Sequence, residues 1–173
     1  MEIRRITQEN AGDLRLKNEP FAMPGRFVPS LREGQWDYVV IPYDIPESMV
    51  FPDEDYDLEK IDREGCALAA YESGACVGLI VLEDQFWKYM HVYDLKVSAA
   101  ARGRGVGRAL IRGALEEARH RNYRGLYLEA QDNNLNACLF YLGVGFAIGG
   151  FDNHLYTGTS QEGKADITFY LDL

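Results

Sequence analysis

The chain predicts a mixed α/β fold, a mostly antiparallel sheet with helices on both faces. Three observations carry this. Cys66–Tyr71 and Ala75–Leu82 are apolar runs joined by Glu72-Ser73-Gly74, the composition of a hairpin turn. From Tyr89 to Gly150, short apolar runs alternate with segments of helical period, giving strand–helix–strand–helix–strand. The length of 173 residues, with 47% hydrophobic and 26% charged residues, suits one core and one domain over 1–173.

Element by element, Met1–Thr7 alternates and reads as an edge strand, and Gln8–Lys17 as a short helix. Residues 18–53 hold all six prolines, which predicts loops with one short extended piece at Trp36–Ile41. Asp53–Asp62 reads as a short acidic helix. The hairpin strands follow, then a third strand at Tyr89–Val97. Within Ala101–Asn122, Val106, Leu110, Ala114 and Ala118 recur every four residues, with Ile111 and Leu115 beside them, marking one buried helix face. Gly125–Glu129 reads as a strand, Asn133–Leu142 as a helix, and Phe146–Gly150 and Asp166–Leu171 as strands.

Charge narrows the function classes. The net charge is −9, and Asp44–Glu64 holds nine carboxylates against only Lys60 and Arg63. Phosphates would be repelled, so nucleic acid is a poor partner. A cationic small molecule would be attracted, although a solvated acidic face explains the same run. No apolar run approaches the ~20 residues that span a bilayer, and "MEIRRITQEN" has no apolar signal core, so the expectation is a cytoplasmic protein without membrane attachment. Cys66, Cys76 and Cys138 are widely spaced with no C-x-x-C pair, which argues against a disulfide framework or a zinc site; no metal is expected.

The acidic chain makes one exception. Three arginines and three glycines are packed into Arg102–Arg108, between the strand ending at Val97 and the apolar helix. Helix-start amides are unpaired donors, the helix dipole favours an anion there, and glycines admit a phosphate to the backbone. The loop reads as a phosphate cradle, or else as a tight turn with solvated arginines. It lacks the Walker lysine, and G-x-G-x-G is a poor dinucleotide fingerprint.

Arg102-Gly-Arg-Gly105-Val-Gly107 resembles the [QR]-x-x-G-x-[GA] signature of the GNAT acetyltransferase superfamily. Downstream, "LYLEAQDNNLNACLFYLGVGF" resembles its second motif through Glu129, Asn134, Ala137, Tyr141, Gly145 and Phe146. "VFPDED", "YDLKV" with Asp94, and "GFDNHLY" resemble the streptothricin acetyltransferase branch, which usually carries a second acidic residue where Tyr93 stands here. The resemblance implies a GNAT fold and acetyl-CoA as cosubstrate. Its implied contacts are the backbone of Leu95, Lys96 and Val97, the loop Arg102, Gly103, Arg104, Gly105, Val106, Gly107, Arg108 and Ala109, and Asn134 with Tyr141. It also implies inactivation of a cationic antibiotic by acetylation of its β-lysine moiety. A homodimer is compatible with it.

The chemistry requires an amine to lose a proton, donors for an oxyanion, and an acid for the leaving thiolate. Amides near Leu95–Val97 serve as oxyanion donors if the strand splays there. Tyr141 lies two helical turns from Asn134 on the same face and inherits the general-acid role from the resemblance; packing in the core is the alternative. Glu129, at a strand end, is a base, an ammonium anchor or a surface carboxylate. Asp94 is a base or substrate ligand. His91, a residue type suited to act as a base, would lie on the opposite face of a regular strand from Asp94. Asp152 and Tyr156 are further substrate-pocket candidates. The competing readings are an enzyme of this fold acting on a protein N-terminus or lysine, an acetyl-CoA sensor without catalysis, and a nucleotide-binding protein.

Overall fold

The computed structural model describes all residues from Met1 to Leu173. Along the chain run β1 (Glu2–Arg5), β2 (Phe21–Arg32), β3 (Gln35–Met49), α1 (Leu58–Glu64), β4 (Gly65–Glu72), β5 (Ala75–Glu83), β6 (Tyr89–Val97), α2 (Val106–His120), β7 (Gly125–Gln131), α3 (Leu135–Val144), β8 (Ala147–Asp152) and β9 (Asp166–Asp172), with 3-10 turns at Ala11–Arg15 and Ala99–Ala101. Two compact units result. One comprises Met1–Pro20, Val50–Leu126 and Leu173, the other Phe21–Met49 and Tyr127–Asp172. No helix is long and apolar enough to cross a membrane.

In the first unit β1, β4, β5 and β6 lie in that order, each antiparallel to its neighbour. Hairpin β4–β5 closes on Ser73 and Gly74, both at positive φ, the two-residue turn whose twist matches the strands. Alternation splits the sheet's side chains. Ala67, Ala69, Tyr71, Leu79 and Val81 pack with Leu58 and Ile61 of α1 on one face. Helix α2 covers the other, burying Val106, Ala109, Leu110, Ile111, Ala114 and Ala118. It approaches closely because β5 carries Gly78: a Cβ there would lie 2.8 Å from Val106 Cγ1. Asp57 starts α1, its carboxylate accepting the Glu59 amide at 3.0 Å. The helix therefore begins five residues later than the acidic composition suggests.

The second unit holds β7, β9 and β8 in that order, helix α3, and a long hairpin of β2 and β3. The hairpin corrects the loop expectation for residues 18–53. Its turn is Glu33-Gly34, both at positive φ. The prolines are accommodated because a two-stranded ribbon has outward edges that need no amide donor. Pro24 and Pro46 fall where the register jumps from Met23–Glu47 to Gly25–Pro42. Along β2, Met23, Gly25, Phe27 and Pro29 alternate into the core. Phe27 is fully buried, stacked on Tyr38 at 4.4 Å between centroids and tilted against Phe169 at 6.2 Å. Asp132, at the end of β7, ties the unit together. Its carboxylate receives Arg26 of β2 and the Ala165 amide, and its own backbone bonds Phe27 and Ala165.

Candidate active site

The cradle lies in the first unit. β6 ends at Val97, the 3-10 turn Ala99–Ala101 reverses the chain, and Gly103 and Gly105 take φ of 73° and 86° before α2 starts. A side chain resists these left-handed angles, whereas glycine adopts them freely. Nothing lies within 4 Å of a Cβ built on either, so the space above the loop is open. Gly105 is the residue before the first turn of α2, whose amides have no carbonyl within the helix. Arg104 pairs with Glu72 at 2.8 Å. The Arg102 side chain turns away, donating to the Val97, Pro20 and Glu19 carbonyls at 3.1, 2.6 and 3.1 Å.

Upstream on β6 the strand is irregular. Val92 faces Leu82, but Asp94 faces Val81, so Tyr93 is an extra residue in a bulge. The bulge overturns the expectation that His91 and Asp94 point to opposite faces. Their partners Glu83 and Val81 are two residues apart on β5, so both side chains emerge on one face. His91 Nδ1 sits 3.2 Å from Glu83 and its ring meets Tyr93 edge-on at 6.0 Å. Asp94 accepts the Tyr56 hydroxyl at 2.8 Å and an ion pair from Lys96 at 3.2 Å. Lys96, 8% exposed, also pairs with Glu54 and lies over the Tyr56 ring. Burial raises the Asp94 carboxyl above the ordinary carboxylate range, with Lys96 and the Tyr56 bond pulling it back and Glu54 pushing it further. Burial and Asp94 likewise raise the Tyr56 phenol.

Beside this cluster a cavity of about 320 Å³ opens in the same unit. Glu54, Asp55, Asp57, Glu64 and Glu83 line it against a single Lys60, together with Ile61, Val81, Leu82, Tyr56 and Tyr93. The acidic run that reads as a solvated face thus contributes four carboxylates to one concave surface. Tyr56, Glu54 and Glu83 escaped the sequence reading. Their only signal is membership of an acidic stretch or a strand end, and neither shows that the bulge gathers them.

The second unit places the remaining candidates. Asn134 caps the start of α3 without a side-chain cap bond, and Tyr141 lies seven residues on. Tyr141 is half-buried, its ring 5.6 Å from Phe146 and 5.7 Å from Phe169. Glu129 is the exposed residue of β7, with Leu128 and Ala130 buried beside it. Asp152 turns to its own loop, accepting the His154 and Leu155 amides at 2.7 and 3.1 Å. It stands directly opposite Asp166 in the β8–β9 register. Asp166 is buried and accepts the Tyr156 hydroxyl at 3.1 Å. Burial pushes its carboxyl up to about 6; the Tyr156 bond lowers it, while Glu129, Asp152 and Asp132 raise it further. Asp166 was not among the sequence candidates; it was read only as the first residue of a strand, and nothing local shows its burial against Tyr156.

The model of the acetyltransferase (GNAT) family matches residues 29–146, more than half of the chain. The chain belongs to the GNAT acetyltransferase family. Streptothricin acetyltransferase A of Bacillus subtilis (strain 168) is 33% identical over 97% of this chain and 98% of its own length. Streptothricin acetyltransferase of Streptomyces lavendulae is 33% identical over 72% and 69%. A Bacillus anthracis structure with acetyl coenzyme A, provisionally assigned as a streptothricin acetyltransferase, superposes with a TM-score of 0.89 at 28% identity, covering 99% of this chain and 98% of that one. A nourseothricin acetyltransferase structure gives 0.82 at 28% identity, covering 99% and 97%. These likenesses place the chain in the streptothricin acetyltransferase branch and bear out the mixed, mostly antiparallel α/β expectation. The protein is an acetyl-CoA-dependent N-acetyltransferase. The left-handed glycines, the open space above them and the start of the 15-residue helix α2 suit the cosubstrate's pyrophosphate.

Proposed function

We propose that this GNAT enzyme inactivates a polycationic antibiotic of the streptothricin type by acetylating an amine of its β-lysine moiety, and that the whole chain works as one acetyltransferase domain. The observation that carries the substrate class is the cavity with five carboxylates and one lysine. Its two tyrosine rings add faces that attract a cation. The full-length likeness to the B. subtilis streptothricin acetyltransferase supports the same reading, and the family match supports one domain, since it runs through residues of both units. The cosubstrate supplies the acetyl group as a thioester. The amides of the Gly103–Ala109 loop hold its pyrophosphate, with Arg104 and Arg108 adding charge, and Asn134 bonds its amide arm. Backbone amides at Leu95–Val97 receive the developing oxyanion. Tyr141 gives a proton to the departing sulfur. Glu129 and Asp94 hold the acceptor ammonium or take its proton, and His91, Asp152 and Tyr156 line the acceptor's path. The need for acetyl-CoA supports a cytoplasmic location.

The test is acetyl transfer, followed by free thiol release, to streptothricin, to free lysine and to a basic peptide. Streptothricin is expected to have the highest kcat/KM. Transfer to the peptide without transfer to streptothricin would replace this reading with a protein acceptor; equal rates on all three would remove antibiotic selectivity. The acetyl-CoA site stands in either case.

A further inference from the structure

We propose that Glu19 and Arg102 form a clamp that presets the acetyl-CoA cradle, with Arg102 a positioning residue for the loop and not a ligand of the pyrophosphate. The clamp is reciprocal. The Glu19 carboxylate accepts the amide of Ala99, the first residue of the 3-10 turn. Three residues later, Arg102 returns two donors to the Glu19 and Pro20 carbonyls and a third to Val97, the last residue of β6. Ser98 makes no side-chain cap bond to the turn; its hydroxyl donates to the Val77 carbonyl at 3.2 Å. Glu19 supplies that missing cap from 80 residues away.

The clamp therefore grips both ends of Ala99–Arg102, immediately before the left-handed glycines 103 and 105. Gly103 and Gly105 are the residues least able to hold a conformation by themselves, since they lose the most freedom on ordering. A loop ordered in advance binds without that cost, and misplacement by about 1 Å is enough to degrade a site. The guanidinium has five donors, and three of its bonds go to carbonyl oxygens of the protein. Its service is donation to neutral acceptors, not charge. The loop's other basic residues are Arg104, paired with Glu72, and Arg108.

Charge and clamp make opposite predictions, which allows a direct test. Removing the Glu19 carboxylate takes a negative charge away from the cradle's approach, so on charge alone acetyl-CoA should bind more tightly. If the clamp matters, it should bind more weakly. Calorimetry of acetyl-CoA binding needs no acceptor, so its outcome is independent of the streptothricin reading. The variants are Arg102→Ala, Arg102→Gln, Glu19→Ala and Glu19→Gln, measured at low and high salt with melting curves alongside. Both alanine variants are expected to weaken binding about 10-fold, equivalent to about 1.4 kcal/mol. Both glutamine variants keep a donor or acceptor in place and should stay within about 3-fold of wild type, with the salt dependence unchanged. Tighter or unaltered binding in Glu19→Ala overturns the proposal. So does an Arg102→Gln protein that melts like wild type yet binds as poorly as Arg102→Ala with a shallower salt dependence, since that marks a direct contact to the pyrophosphate. If the alanine variants fail to fold, the two glutamine variants alone decide it.

Discussion

At the residue scale, Tyr141 and Asp166 show how one unit loads different side chains with different tasks. The Tyr141 ring is fastened between Phe146 and Phe169, so Tyr141→Phe keeps the packing and deletes only the hydroxyl. If that hydroxyl is the acid, turnover falls about 10²–10⁴-fold while acetyl-CoA affinity and melting temperature hold; turnover within about 3-fold of wild type removes the role. Asp166 costs the fold stability when it ionises. Its carboxyl is raised from the ordinary 3.8 to about 6, chiefly by burial. The folded protein thus binds a proton more readily than the unfolded chain, and its stability declines as pH rises from about 4 to about 6. Asp166→Asn keeps an acceptor for Tyr156 without the charge. It should be more stable than wild type near pH 7, on the order of 1–2 kcal/mol, and the two should converge near pH 4. Denaturant titrations at both pH values check this, and an equal difference at both would refute the assignment.

At the scale of elements, β2 and β7 depend on one buried carboxylate. Asp132 is 2% exposed and joins Arg26 to Ala165. Asp132→Ala leaves the Ala165 amide without its acceptor and the Arg26 guanidinium with the Gly163 carbonyl, and should cost about 1–3 kcal/mol, read as a lower denaturation midpoint. The loop before α2 depends on backbone angles instead. Gly105 sits at φ 86° with nothing near its Cβ position. Gly105→Ala should therefore lose about 1 kcal/mol from strain alone, and weaken acetyl-CoA by reshaping the loop. Unchanged acetyl-CoA affinity in a folded Gly105→Val/Gly107→Val protein would show that the pyrophosphate lies elsewhere.

For the whole molecule, the net charge of −9 is concentrated where it can act. Much of the acidic run reaches the cavity beside β6, where the low-dielectric floor of Val81, Leu82 and Ile61 strengthens its field. Rates with a polycationic acceptor should fall as salt rises, through KM and not kcat, because steering is screened within about 10 Å at 0.1 M. Kinetics with streptothricin at low and high salt test this, and a salt effect confined to kcat would contradict it. Neutral amines should show little salt dependence.

Several features were legible in the chain because they are local. Strand β6 runs from Tyr89 to Val97 as its pattern says, and the helix face at Val106, Leu110, Ala114 and Ala118 is buried as its period says. The hairpin turn at Ser73-Gly74 and the glycine loop before α2 follow from backbone preferences of single residues. The second hairpin was hidden because proline density signals loops, while Glu33-Gly34 is a weaker turn signal than Asn-Gly. Tertiary structure alone decided the rest. Tyr93 is the residue left over when two strands pair, so the meeting of His91 and Asp94 on one face depends on β5 as much as on β6. Arg26 and Asp132 are 106 residues apart, and the Asp152–Asp166 opposition exists only in the β8–β9 register. Periodicity records which way each side chain faces along its own element. Register and burial depend on partners distant in the chain, and these set which carboxylates are gathered and which are raised in proton affinity.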